Sequence, residues 1–186
     1  VFRSLGCTVE EVDLGWDYGT YDAWITHWEG LFASVAGEHL PRWQYAMDPF
    51  VRQMLHRGMN HSYTRVKQTE FVRAEMYKKL SPIMQEYQLL LCPTTSVPSV
   101  KLWHQCDDPD FRINGKKVDA MIQWCMTYPF NLLSQCPVAS VPSGFASSGV
   151  PTGLQIVGRT YEDESVFRAA KAYEAANPWL GKRPSL

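Results

Sequence analysis

The stretch Met126-Thr-Tyr-Pro-Phe-Asn-Leu-Leu-Ser-Gln-Cys-Pro-Val-Ala-Ser-Val-Pro-Ser-Gly-Phe145, continued by Gly149-Val-Pro-Thr-Gly-Leu-Gln-Ile-Val-Gly158, decides the fold of this chain. It contains two short apolar runs, residues 138–141 and 154–157, each bounded by Pro and Gly. Apolar runs of this length between turn residues are typical of buried strands. The pattern therefore predicts two strands in an α/β core, joined by a tight loop.

The prolines and glycines of this stretch predict where the strands end. Pro137 and Pro142 bracket the first run, because a residue without an N–H group is tolerated at a strand end but not in a central ladder. Ser147-Ser148-Gly149 is expected to form the turn between the two strands. We expect no nucleophile there, since the segment has no long Gly/Ser-rich context.

The order of several short motifs resembles the C-terminal portion of the amidase signature family, whose members hydrolyse carbon–nitrogen bonds of amides. The matching elements are Pro129-Phe130-Asn131, Pro137-Val138, Ser140-Val141-Pro142-x-Gly144-Phe145 and Pro151-x-Gly153-Leu154-Gln155-Ile156-Val157-Gly158, followed by an acidic helix start. The resemblance is clear over residues 63–176 and fainter over residues 1–14. It implies an α/β fold, in which this chain supplies part of a mixed β-sheet core covered by helices.

The resemblance also implies which catalytic groups this chain does not contain. In the family, a nucleophilic Ser, a second Ser and a Lys base come from a Gly/Ser-rich core and the segment before it. No stretch here matches that core, and there is no G-x-S-x-G elbow. We therefore predict no catalytic residue in this chain, and we expect the chain to be inactive by itself.

Five residues are candidates for the wall of the substrate pocket. Trp124, Tyr128 and Asn131 precede or occupy the Pro-Phe-Asn motif, and Thr94 and Thr95 follow a short apolar strand expected at residues 87–92. The resemblance places such a loop near the active site, with Ser96 as a further rim candidate. The alternative for the hydroxyl groups is that they only satisfy loop backbone groups.

The residues before the Pro-Phe-Asn motif bear on the substrate. Family members that take ammonia from glutamine tend to carry a carboxylate there, whereas this chain has Gln123, Trp124 and Cys125. The resemblance therefore favours hydrolysis of an apolar or aryl amide over the glutamyl-tRNA amidotransferase role.

Composition excludes several other classes of function. The 186 residues are 45% hydrophobic and 20% charged with a net charge of −1, so neither a nucleic-acid nor a membrane partner is expected. Five scattered cysteines without a C-x-x-C pair favour free thiols in a reducing compartment, and we expect a cytoplasmic protein. His104, Cys106, Asp107 and Asp108 match no standard zinc spacing, so we predict neither a metal nor a cofactor.

The chain is expected to be one unit, residues 1–186. It opens without Met on residues 1–6, which resemble the last turn of a helix stopped by Gly6, so we expect a preceding portion. That N-terminal portion of the same enzyme is the expected partner, and a homodimer is possible. The rival interpretation is a non-catalytic amidase-like interaction or scaffold module. An evolved free module would have few exposed apolar patches or open strand edges.

The remaining patterns predict elements that the structure can test. We expect a strand at 8–14, an aromatic helix at 21–36 with His27 and Glu29 facing outward, and a short helix at 49–56 capped by Asp48 and stopped by Gly58. A helix at 63–85 is predicted to bury Val66, Phe71, Met76, Leu80 and Met84. An Asn114-Gly115 hairpin, a helix from Asp119 through Trp124, and a helix at 162–175 burying Val166, Phe167, Ala170 and Tyr173 complete the set.

Overall fold

The computed structural model describes residues 1–181 and divides the chain into two compact units. The helical unit is Gly15–Lys79, and the sheet unit combines Val1–Leu14 with the chain from Leu80 onward. The single domain expected over residues 1–186 stays a prediction, and its residues 182–186 lie outside the described residues.

The helices and strands follow one another along the chain with these bounds. The helices are α1 (Gly19–Ala36), α2 (Leu40–Trp43), α3 (Pro49–Asn60), α4 (Tyr63–Glu86), α5 (Tyr128–Leu132) and α6 (Asp163–Ala176). The strands are β1 (Leu89–Pro93), β2 (Arg112–Ile113), β3 (Lys116–Lys117), β4 (Val138–Phe145) and β5 (Pro151–Gly158). Short 3₁₀ turns occupy Arg3–Leu5 and Gly37–His39.

The two strands predicted from the quoted stretch are confirmed as β4 and β5. They pair antiparallel, with Val138 opposite Val157 and Val141 opposite Leu154. On its other side β5 pairs antiparallel with β1, which gives the order β1-β5-β4. The predicted turn is also found, since Gly149 adopts φ 80° and its N–H bonds to Ala146 O at 2.9 Å.

The prediction that Pro142 ends the first strand is wrong. β4 continues through Pro142 to Phe145, with a register irregularity between Pro142 and Gly144. β4 lies at the edge of this sheet, where a missing N–H can face away from the neighbouring strand. The proline therefore marks an edge strand with a bulge rather than a strand end.

The core of the sheet unit lies between the sheet and α6. Val141, Ile156, Val166 and Tyr173 are at most 5% exposed and pack together. The predicted burial of Val166 and Tyr173 on α6 is confirmed. The predicted burial of Phe167 is wrong, because its side chain is 72% exposed. It follows Val166 by one residue, about 100° around the helix, and so points away from the sheet.

The opening of the chain matches the prediction only in part. The turn Arg3–Leu5 ends at Gly6 with φ 86°, as the sequence predicts. The strand predicted at residues 8–14 is wrong, because that segment forms no strand in the described chain. A strand needs a hydrogen-bonded neighbour, and apolar alternation cannot show whether one is present.

The segment between β1 and α5 contains one predicted turn and one incorrectly predicted helix. Asn114 (φ 49°) and Gly115 (φ 76°) form the expected hairpin turn between β2 and β3. The helix predicted from Asp119 through Trp124 is wrong, since these residues form successive turns. Asp119 Oδ1 nevertheless accepts a bond from Met121 N at 2.9 Å, so the capping interaction is made without a helix behind it.

Helices α1 and α3 pack together in the helical unit, and Gly58 allows the close approach. Asp48 caps α3 as predicted, with Oδ1 accepting from Phe50 N at 2.8 Å. The predicted stop at Gly58 is wrong, because α3 continues to Asn60. A Cβ on Gly58 would lie 2.7 Å from the carbonyl carbon of Glu29 and 2.8 Å from Ala33 Cβ. Gly58 is therefore a close-contact residue, not a helix stop.

Glu29 is buried, contrary to the prediction that it faces outward. It is 4% exposed, and its carboxylate contacts Arg57 Nε at 2.5 Å and His61 Nε2 at 2.8 Å. A buried carboxylate needs such partners, because an unpaired one would lose its hydration without compensation. The partners come from 28 and 32 residues further along the chain, which periodicity on α1 could not indicate.

Helix α4 is confirmed with nearly the predicted bounds, and it contains Pro82. Met76, Leu80 and Met84 are buried as predicted. The predicted burial of Phe71 is wrong, since its side chain is 73% exposed. Thr69 occupies a buried position instead, at 4% exposure. Within residues 1–181, no helix is long and apolar enough to cross a membrane.

Candidate substrate-pocket wall

The chain leaving β1 pairs with a segment about 30 residues further on. Thr95 and Cys125 form an antiparallel bridge, flanked by bonds from Met126 N to Thr94 O at 2.8 Å and from Ser96 N to Trp124 O at 2.9 Å. Three of the five predicted wall residues, Thr94, Thr95 and Trp124, are thereby brought together. We call these three residues the wall cluster.

The side chain of Gln155 links this pairing to the sheet through hydrogen bonds. Its side chain is 1% exposed, and Nε2 donates to Pro93 O at 3.0 Å and to Met126 O at 2.9 Å, with Cys92 Sγ at 3.3 Å. The one amide group thus joins β5, the end of β1 and the segment before α5. The sequence identifies Gln155 only as part of a motif. A lone Gln inside an apolar run is a signal that it has buried backbone partners.

Gly153 permits the close approach of β5 to Thr94. Thr94 N donates to Gly153 O at 3.1 Å, and a Cβ on Gly153 would lie 3.2 Å from Thr94 Cβ and closer still to its hydroxyl oxygen. Any larger residue at position 153 would displace Thr94. The glycine of the Pro-x-Gly-Leu-Gln motif is therefore required by the position of the wall cluster.

The other two predicted wall residues lie on α5. Tyr128 begins this helix and is half-buried, whereas Asn131 is exposed and Phe130 and Leu132 supply the buried side. α5 begins two residues after Met126, the residue bonded to Thr94 and Gln155. Their role in a pocket wall stays a prediction, as does that of the wall cluster.

The hydroxyl groups near the wall cluster differ in their partners. Ser96 Oγ donates to Trp124 O at 2.9 Å, which is the backbone-satisfying role that the sequence left open for this loop. Thr94 Oγ1 faces Gly153, as the close approach shows. The Trp124 indole N–H donates to Met121 O at 3.1 Å, which fixes the orientation of the ring.

The thiols around this site are poor nucleophiles. Burial raises the pKa of Cys92 to about 11, and burial also raises the pKa values of Cys125 and Cys136. The reactive form of cysteine is the thiolate, so a raised pKa keeps these groups protonated and inert at neutral pH. All five cysteines are free.

The residues considered as metal ligands make other contacts. His104 Nε2 lies 2.6 Å from Ala120 O, and its ring packs edge-on against Phe111 at 4.8 Å between centroids. Across residues 1–181, no group of three or more His, Cys, Asp or Glu side chains is arranged to hold a metal ion.

The profile of the Amidase family matches residues 36–167, which is more than half of the chain. The chain belongs to the amidase family. The resemblance inferred from the Pro-Phe-Asn and Gly-Leu-Gln motifs is therefore confirmed.

Individual relatives extend this match over almost the whole chain. An acylamidase of Rhodococcus erythropolis is 28% identical over 187 residues, which cover 99% of this chain and 38% of the acylamidase. A glutamyl-tRNA(Gln) amidotransferase polypeptide of Brevibacillus brevis is 35% identical over 118 residues, or 63% of this chain and 22% of that polypeptide. The chain thus spans well under half the length of these relatives.

Solved structures show the same fold. A bacterial aryl acylamidase of the amidase signature family superposes with a TM-score of 0.78 at 28% identity, covering 99% of this chain and 41% of its own. Another amidase superposes with a TM-score of 0.79 at 23% identity, covering 94% of this chain and 39% of its own. These likenesses confirm the predicted α/β class.

Proposed function

We propose that this chain is the C-terminal part of an amide hydrolase, supplying part of the fold and one wall of the substrate pocket. The observation that carries the proposal is the match to an acylamidase along 99% of the chain, without a Gly/Ser-rich catalytic core in these residues. The Ser-Ser-Lys set that forms the acyl-enzyme would come from the rest of the protein. Membership of the amidase family supports amide hydrolysis in general terms.

The proposed substrate class is an apolar or aryl amide. Trp124 is half-buried, its indole N–H is bonded to Met121 O, and its segment pairs with the segment that carries Thr94 and Thr95. The wall cluster therefore combines one aromatic residue with two hydroxyl-bearing residues on paired segments. Gln123, Trp124 and Cys125 include no carboxylate to hold the amino group of glutamine. The glutamine-dependent role is therefore the less favoured candidate.

The test compares the isolated chain with a chimera in which residues 1–186 replace the matched region of the Rhodococcus erythropolis acylamidase. The substrate is the acetyl amide of 4-nitroaniline, whose hydrolysis releases a coloured amine. We expect no release above the buffer rate from the isolated chain and enzymatic release from the folded chimera. A folded but inactive chimera would contradict the proposal, as would an active isolated chain that loses activity when one of its own serines is replaced.

Trp124 offers a residue-level test in the same chimera. Trp124→Ala should raise KM roughly 5- to 30-fold, the loss expected from about 1–2 kcal/mol of apolar contact with the substrate. Trp103→Ala is the matched control, because Trp103 is 86% exposed and should leave KM unchanged. Equal effects of the two substitutions on KM would show that Trp124 is not part of the substrate-pocket wall.

The proposed partner is the N-terminal portion of the same enzyme. The test compares the mass of the native protein with the masses of its denatured polypeptides and sequences the N-terminus of each polypeptide. These measurements distinguish this partner from the alternatives. A second polypeptide containing a Gly/Ser-rich serine segment supports the proposal. A lone monomer or self-dimer instead supports the rival function, a non-catalytic interaction or scaffold module.

A further inference from the structure

The turn between β2 and β3 carries a chemically reactive pair of residues at the surface. Asn114 and Gly115 are both exposed, with φ 49° and φ 76°. The side-chain carbonyl carbon of an asparagine can be attacked by the backbone nitrogen of the next residue, because these atoms close a five-membered ring. Asparagine is thermolabile in proteins for this reason. The turn therefore presents both atoms of such a reaction to solvent.

Gly115 leaves the attacking nitrogen accessible. Glycine has no Cβ that would hinder the approach or restrict the rotation of its peptide plane. A Cβ on Gly115 would meet no atom within 4 Å, so the turn is open on this side. The bond that closes such a turn joins Ile113 C=O to Lys116 N–H, and β2 and β3 place these two residues opposite each other. The Gly115 N–H takes no part in that bond and is available for the attack.

The hairpin does little to hold Asn114 in one conformation. β2 and β3 contain two residues each and form a sheet of their own. A lone two-stranded hairpin is only marginally stable in water, so its turn opens often and samples the rotation that ring closure needs. Arg112 Nη1 also donates to Gly115 O at 3.2 Å, and Lys116 and Lys117 follow in the chain. Nearby positive charge favours the attack, because the nitrogen becomes negative during it.

The other three asparagines of the chain are protected in different ways. Asn60 is the last residue of α3, and its Nδ2 donates to His56 O at 2.8 Å. Asn131 lies within α5, where the helical backbone is fixed. Asn177 precedes Pro178, whose nitrogen carries no hydrogen to release. Within residues 1–181 no hydrogen bond restrains the side-chain amide of Asn114, so the reaction should be selective for this position.

We infer that Asn114 loses its side-chain amide without an enzyme and becomes a mixture of aspartate and isoaspartate. The Gly115 nitrogen forms a bond to Asn114 Cγ, and the amide group leaves as ammonia with the hydrogen of that nitrogen. A succinimide ring remains, and water opens it at one of its two carbonyl carbons. Opening at one carbon gives aspartate, and opening at the other gives isoaspartate, in which the main chain runs through Cβ. The reaction consumes only water.

The two products change the hairpin in different ways. Both add one negative charge, but isoaspartate also lengthens the backbone of a two-residue turn by one carbon atom. The longer turn no longer matches the register that places Ile113 opposite Lys116. The carboxylate of isoaspartate is a substrate for methyltransferases that use S-adenosylmethionine, so an enzyme of this class is the partner that the aged site fits. The inference goes beyond the proposed function and does not depend on it.

Peptide mass spectrometry of the chain after storage in warm, mildly alkaline buffer tests the inference. The peptide with Asn114 should gain about 1 Da, because an OH group replaces an NH₂ group. Free ammonia should appear in the same molar amount. Peptides with Asn60, Asn131 or Asn177 should react at least about tenfold more slowly, since their backbones are held or lack the N–H. An unchanged mass at residue 114, or equal rates at all four positions, would overturn the inference.

A methyltransferase specific for isoaspartate, supplied with labelled S-adenosylmethionine, tests the route through the ring. The stored chain should accept label at residue 114, because ring opening produces isoaspartate. A gain in mass without label would indicate direct hydrolysis, which gives aspartate alone, and would overturn the proposed route. Asn114→Gln is the matched control and should show neither mass gain nor label, since its longer side chain closes a ring far less readily.

Comparison with the unfolded chain tests whether the folded turn is as open as described. In buffer Asn114 should react within about tenfold of its rate in urea, because a two-residue hairpin restrains it little. A greater slowing would show that the folded turn protects Asn114 and would overturn the inference.

The same measurements on the chimera with the Rhodococcus erythropolis acylamidase test the site in a complete amidase. We expect the same selectivity for Asn114 whether or not the chimera is active, so an inactive chimera would contradict only the proposed function. A folded chimera in which Asn114 keeps its amide while the urea-unfolded chimera loses it would overturn the inference.

Discussion

Gln155 shows how a single buried amide group can position a surface loop. Its Nε2 supplies the bonds that hold Pro93 O and Met126 O, two carbonyl groups from separate segments. Hydrophobic periodicity places Gln155 on a strand but attributes no function to it. Its bonds hold the two segments that carry the wall cluster.

Replacing Gln155 should therefore loosen the wall cluster. Gln155→Leu leaves the Pro93 and Met126 carbonyl groups without their donor, at a cost of about 1–3 kcal/mol for each buried unsatisfied group. We expect a lower free energy of unfolding in urea and a changed near-ultraviolet circular dichroism signal from Trp124. Gln85→Leu is the control, since Gln85 is exposed on α4. Equal stabilities of the two variants would contradict this role.

Tyr87 should make stability depend on pH in alkaline solution. The hydrogen bond to Glu10, with smaller effects of burial and of the Glu10 and Glu86 charges, raises the pKa of Tyr87 from 10.0 to about 12. Below pH 10 the phenol is protonated in both states, so its bond contributes fully. Between pH 10 and 12 the unfolded state loses the proton first, and this contribution is lost as the pH rises.

Urea unfolding at pH 9 and pH 11 measures this effect against Tyr87→Phe. The wild type should be more stable than the variant at pH 9, and the difference should shrink at pH 11. Tyr45→Phe is the control, because Tyr45 is 90% exposed. A difference between wild type and Tyr87→Phe that stays constant with pH would show that the phenol bond does not contribute.

At the scale of helices and strands, the sequence predicts an element well when its signal is local. Asp48 before Pro49, Asn114-Gly115 and the paired apolar runs of β4 and β5 depend on neighbouring residues, and all are confirmed. The predictions fail where a distant segment decides the outcome. The strand at 8–14 lacks a paired neighbour, and Glu29 is buried because Arg57 and His61 reach it.

Gly58 is the sharpest case of a distant contact that changes a local interpretation. Gly58→Ala should add helix propensity of roughly 0.5–1 kcal/mol. However, its Cβ would meet the Glu29 backbone, and overpacking of this kind costs typically about 1–3 kcal/mol. We expect net destabilisation, measured as a lower urea midpoint.

Gly30→Ala is the matched control for Gly58→Ala. Its Cβ would lie 3.2 Å from a methyl group of the Val66 side chain, which can shift. This variant should be neutral or slightly stabilised. If Gly58→Ala were equally well tolerated, the close contact between Gly58 on α3 and the Glu29 backbone on α1 would be contradicted.

At the scale of the whole chain, exposed aromatic residues distinguish a part of a larger enzyme from a free module. Phe71, Phe145 and Phe167 are between 58% and 73% exposed, and in the described residues β1 lies at an edge of its sheet. An independent module would be expected to reduce both features. They therefore support the proposal that further polypeptide covers these surfaces.

These exposed residues also mark the limit of what sequence alone can predict. Helical spacing places Phe71 and Phe167 in the core, because a large aromatic residue in such a stripe is usually buried. On the proposed function, the polypeptide that would cover them lies outside this chain, so the chain's own sequence does not describe their partners. The candidate site shows the same limit, since the motifs locate Thr94 and Trp124 but not the amide that joins their segments.

The bonds of Gln155 have a consequence for the order in which the chain folds. They join residues 29 and 62 positions apart, whereas β4 and β5 are connected by a turn of a few residues. Closing long loops slows a folding step, and local contacts form first. The β4–β5 hairpin should therefore serve as an early nucleus, and the pairing of Thr94 with Met126 should be among the last contacts to form.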